Sequence, residues 1–131
     1  MIGISILPEP DIIFVFGSNL AGIHRSGAAW TAKRNYQAVE GHGRGRTGNA
    51  YAIPIHDMWL HLLPLSDIEL SVKTFYWYAL EHPELTFKIS LVGCELGYRV
   101  EEIAPMFAEC PGNCVLPKEF VDVLMSNAKK V

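Results

Sequence analysis

Residues 11–17, "DIIFVFG", are a run of β-branched and aromatic residues that ends abruptly at glycine. A strand with one wet face alternates apolar and polar positions. This run does not alternate, so it belongs in a sheet covered on both faces. Directly after it comes "SNLAGIHRSGAAW" (18–30), rich in small residues where the strand hands over to a helix. That helix is expected over 24–37, with Ala28, Ala32 and Tyr36 on one side.

The rest of the chain repeats the alternation. "AYAIPI" (50–55) reads as a short strand, with Pro54 at an end or an edge because it has no N–H to donate. Residues 57–66 read as an irregular connection. In "SDIELSVKTFYWYALEHPE", Ser66 and Glu69 have capping-box spacing. Ile68, Val72, Phe75, Tyr76 and Ala79 recur at helical spacing, and Pro83 closes the helix. "TFKISLVG" (86–93) is a further strand ending in glycine. "VEEIAPMFAEC" starts as a helix limited by Pro105, and "NCVLP" (113–117) is a short last strand. "KEFVDVLMSNAKK" is a terminal helix with Phe120, Val121 and Leu124 inward. The order β-α-β-α-β-α-β-α predicts an α/β fold: a mostly parallel sheet, right-handed crossovers and helices on both faces. A length of 131 residues suits one domain, 1–131.

One segment resists this scheme. "EGHGRGRTGN" (40–49) has glycine at nearly alternate positions, a composition that predicts no regular element. Joining a helix to the start of a strand, it is expected at the end of the sheet opposite any ligand edge. It reads as a mobile surface loop or, through Arg44 and Arg46, as a phosphate or nucleic-acid contact.

Composition bounds the function classes. Half the residues are hydrophobic and 19% are charged, which argues against disorder. The formal charge of −3 gives no global reason to expect nucleic acid as a partner. His24, Arg25, Lys33, Arg34, Arg44 and Arg46 nevertheless cluster in the first third and leave a local basic face open. No apolar run approaches the roughly 18 residues of a membrane span, and "MIGISILPEP" lacks the basic start of a secretory leader. The expectation is a cytoplasmic protein with no membrane partner. Cys94, Cys110 and Cys114 are an odd set without a second metal-ligating pair, so no disulfide scaffold, metal or cofactor is expected.

Ligands of open α/β sheets bind beyond the carboxyl ends of strands, where amides and helix N-termini are free. Two loops fit. The first contains Gly17, Ser18, Asn19, Gly22 and Gly27, and the second Gly93, Cys94, Glu95, Leu96, Gly97 and Tyr98. Glycine brings backbone N–H groups close to a ligand, Ser18 and Asn19 add short polar side chains, and Tyr98 offers a stacking ring. The spacing matches neither a dinucleotide fingerprint nor a phosphate loop, and tight turns account for it equally well. A carboxylate beside phosphates is costly, so Glu95 reads instead as holding a ribose hydroxyl or polarising a water. His24, His56 and Asp57 are candidate acid–base groups.

The ordered set "FGSNLAGIH", "SGAA", "YAIP", "YALEHPE", "VGCELGY" and "EEIAPMF" resembles the macro domain superfamily over residues 11–125. Within it, the pattern is nearest to small uncharacterised bacterial and phage macro-like proteins. The "GC.L" strand end resembles the branch that removes ADP-ribose from acidic side chains. The resemblance implies a three-layer α/β/α domain that binds ADP-ribose or a related phosphorylated nucleotide derivative. Asn19 and the small residues of 17–28 then lie around the distal ribose, and Gly93 to Tyr98 cradle the diphosphate. It leaves open hydrolysis of an ADP-ribosyl ester or phosphate, a non-catalytic nucleotide-sensing module, or a nucleic-acid accessory role. The chain departs from the family pattern at His56, where a lysine is expected, and in "GCELGY", one residue shorter with Glu95 for a glycine. The lysine and aspartate of the deacylating branch have no obvious counterpart.

Overall fold

The computed structural model describes residues 11–95 and 97–129. The N-terminal stretch, the site candidate Leu96 and the last two residues lie outside the described part. Five strands form one sheet in the order β2-β3-β1-β4-β5. They are β1 (Ile12–Asn19), β2 (Gly45–Thr47), β3 (Ala50–His56), β4 (Thr86–Ile89) and β5 (Cys114–Val115). The helices are α1 (Gly27–Tyr36), α2 (Leu65–Glu81), α3 (Val100–Ile103) and α4 (Lys118–Ala128), with a 3-10 turn over Ala104–Phe107. The sheet is mixed. β1 runs parallel to β3 and β4, and β4 to β5, while β2 pairs antiparallel with β3. The expectation of a mostly parallel sheet is corrected to a mixed one, because the glycine-alternating segment supplies an antiparallel edge strand.

β1 sits centrally and is buried on both faces, as its sequence requires. Ile13 and Val15 enter a large cluster with Tyr51, Ile53, Phe87, Ile89 and residues of α2, α4 and the 3-10 turn. Phe14 and Phe16 turn the other way, to Ala50, Ala52 and the alanines of α1. This period-two division of β1 and β3 between two clusters is what a strand covered on both sides produces.

Local corrections follow from chemistry that the pattern did not weigh. α2 starts at Leu65 behind Pro64, whose carbonyl accepts from Asp67 and Ile68 N–H at 3.0 and 3.2 Å. Pro64 itself stands at the N-cap, where its missing N–H costs nothing, so Ser66 lies inside the helix and caps nothing. Ser71, not Tyr76, completes the buried stripe of α2. In α4, Phe120 is buried, but Val121 is exposed and Val123 packs in its place.

The glycine-alternating segment is the main correction. Residues 45–47 form β2, joined to β3 by the two-residue turn Gly48-Asn49. Because β2 runs antiparallel, residues 41–44 come back to the carboxyl end of β1 and β3. Gly41 N–H donates to Gly22 O at 2.8 Å, and Ser18 Oγ donates to Gly43 O. The segment thus lies at the carboxyl edge of the sheet and not at the opposite end.

Candidate functional site

A cleft of about 450 Å³ opens at the carboxyl ends of β1, β3 and β4. Gly17, Ser18 and Asn19 of β1, Gly93 and Glu95 after β4, and Ser26 to Ala29 at the start of α1 line it. The two glycine-bearing strand ends therefore share one rim, as the sequence led us to expect. Ile23, Ile55, Leu60 and Leu91 supply apolar wall, and His56 closes the β3 side. At the floor the two backbones nearly touch: a Cβ on Gly17 would stand 3.3 Å from Gly93 N and 3.0 Å from Ile55 Cγ1.

The other candidates divide according to what already holds them. Gly22 has φ +73° and packs on Gly41, where a Cβ would come within 2.3 Å of the backbone. It serves loop packing and does not line the cleft. Gly97 closes on Gly93 O, and Tyr98 OH donates to Leu63 O at 2.6 Å, so that ring is committed to the core side. Cys94 donates its thiol to Val92 O at 3.5 Å, and burial, followed by the nearby carboxylates, pushes that thiol up to about 11. It is held as a protonated thiol. Asn19 lines the cleft, but its amide exchanges two 3.0 Å hydrogen bonds with Ile23 backbone, which shapes the loop.

Of the three acid–base candidates, only His56 faces the cleft. His24 is fully buried, edge-on to Phe16, with Nε2 3.0 Å from His42 O. It clamps the 41–44 segment to the β1 loop. Asp57 organises the next turn: Oδ1 accepts from Trp59 and His61 N–H, both at 2.9 Å. The His61 N–H, helped by that of Trp59 and opposed by partial burial, holds the carboxyl below its ordinary value. This turn carries Leu60 at φ +66°, a left-handed conformation that costs an ordinary residue about 1 kcal/mol. Its hydrogen bonds fix Leu60 against the cleft and leave Met58 and Trp59 at the surface.

The expected basic face is broken up. Glu40 takes Lys33 at 3.1 Å and Arg25 at 3.6 Å and also accepts from His24 N–H. Arg44 bonds Ser71, and Arg46 bonds Tyr78 OH and Gly48 O, both toward α2. Arg34 lies over the Trp30 ring. Arg25 also lines the cleft, its largely exposed guanidinium 3.6 Å from Glu40, so the electrostatics there combine this one cation with backbone amides. The N-cap residue of α1, Ser26, makes no side-chain cap, and the first turn of α1 holds no acid. The Glu95 carboxylate reaches across from the β4 loop instead, with Oε2 3.4 Å from Ala28 N.

Sequence reasoning missed the apolar wall and Ser26. Ile23, Ile55, Leu60 and Leu91 are indistinguishable from core by composition, and only topology brings them together. No family model, no curated protein and no solved structure matches this chain.

Proposed function

We propose that the chain is a macro-like domain, three layers deep, whose cleft binds ADP-ribose or a related phosphorylated nucleotide derivative. One observation carries the reading: both glycine-bearing strand ends and the start of α1 border a single cleft of about 450 Å³. Amides at a helix start and at strand ends are a ready-made seat for phosphate oxygens. The apolar wall of Ile23, Ile55 and Leu91 suits the flat, less polar parts of a nucleotide. α1 on one side of β1, and α2 with α4 on the other, agree with a three-layer arrangement.

Binding without turnover is the simpler form of this reading, since His24 and Asp57 are engaged in holding loops. If the domain hydrolyses an ADP-ribosyl ester or phosphate, His56 is the side chain with access to act as acid or base.

Calorimetric titration with ADP-ribose tests the reading. Ser26 is exposed and extended (φ −157°), so Ser26→Trp fills the cleft mouth without disturbing the core. ADP-ribose is expected to bind wild type and raise its Tm by mass action, and Ser26→Trp is expected to lose at least about tenfold in affinity. Equal affinity in the two proteins places the ligand elsewhere.

A further inference from the structure

Among the described residues Glu95 is the one carboxylate on the cleft lining, and it stands where a ligand anion would sit. Glu95 Oε2 is 3.4 Å from Ala28 N, joining residues 67 positions apart and thereby bridging the two rims. Gly27 leaves room for it, since a Cβ there would stand 2.5 Å from Oε2. α1 has no other anion in its first turn and no side-chain cap from Ser26. Glu95 is also exposed, and among the described residues its carboxylate makes one long contact, so it is displaceable.

We propose that Glu95 determines which ligands the cleft accepts. Its carboxylate holds the start of α1 against small free anions, and a ligand gains that position only by adding contacts elsewhere in the cleft. The inference rests on the anion-binding reading above. A tethered carboxylate acts at an effective concentration on the order of millimolar, so inorganic phosphate or pyrophosphate competes poorly with it. Any anion that enters beside it also meets like charge, which Arg25 on the same lining, shared with Glu40 at 3.6 Å, offsets only in part. A nucleotide derivative brings a base and sugar to Ile23, Ile55 and Leu91, and these contacts offset the cost of turning Glu95 out to solvent.

Pyrophosphate and ADP-ribose are titrated calorimetrically into wild type, Glu95→Gln, Glu95→Ala and the control Glu119→Gln, whose carboxylate is in the first turn of α4. Pyrophosphate is expected to bind both Glu95 variants about tenfold more tightly than wild type or the control, the factor set by removing one charge from a helix start. It should displace ADP-ribose from the Glu95 variants at concentrations that leave the wild-type complex intact. Equal pyrophosphate affinity in all four proteins, or none in any, overturns the role of Glu95. Failure of ADP-ribose to bind any of them, with the pyrophosphate contrast present, overturns the ADP-ribose reading alone.

Discussion

The two faces of the sheet are built from different materials. On the α2 side, Phe75, Phe87, Phe107 and Phe120 are all fully buried, with Phe75 and Phe87 edge to face at 5.2 Å. On the α1 side, the cluster consists of Phe14, Phe16 and five alanines. Large side chains hold α2 and α4 and carry most of the apolar burial. Small ones let α1 lie close to β1 and β3, which brings its first turn to the cleft. One face supplies stability, and the other sets the geometry of the site.

The largest effect should come from breaking the heavy face. Phe87→Ala is expected to cost about 3–5 kcal/mol, read from the denaturation midpoint, while ADP-ribose affinity in the folded fraction stays unchanged. A matching loss of affinity would mean that the faces are not independent. Ala32, fully buried on the inner side of α1, is the converse case. Ala32→Leu is expected to cost about 1–3 kcal/mol by overpacking and, by lifting α1, to weaken ADP-ribose binding as well. If stability falls and binding does not, close approach of α1 is not what positions the cleft.

The smallest effect sharpens the comparison at the rim. The Asp57 carboxyl is held below its ordinary value by the His61 and Trp59 N–H groups. A lowered value in the folded state stabilises the fold above the ordinary aspartate range, and that contribution is lost as the pH falls through the lowered value. The difference in Tm between wild type and Asp57→Ala should therefore be full at neutral pH and shrink toward zero in acid. A gap that persists there assigns the effect to something other than this ionisation.

β1 was legible because an unbroken apolar run has few alternatives, and α2 because its stripe is long. The shared rim was legible because strand ends after parallel pairing fall on one edge. β2 was missed although its signal was present: Gly48-Asn49 between "GRT" and "AYAIPIH" is a two-residue hairpin turn, and glycine alternation obscured it. The ties that occupy Asn19, Tyr98, His24 and Arg44 were not legible. Three of them join residues from 18 to 35 positions apart, and Asn19 turns back on its own loop. The reach of Glu95 to Ala28 is of the same long-range kind, and no local spacing encodes it.

The β2–β3 hairpin acts as a ruler laid along the sheet. Its zero mark is the Gly48-Asn49 turn, and its reading is the position of Gly43, where a Cβ would stand 1.9 Å from Asn19 O. A slip of one residue would carry that mark about 3.3 Å along the strand and invert every side chain on it. Natural variation in turn length at the far end would therefore be constrained by the fit at the Asn19 end, although the two never touch.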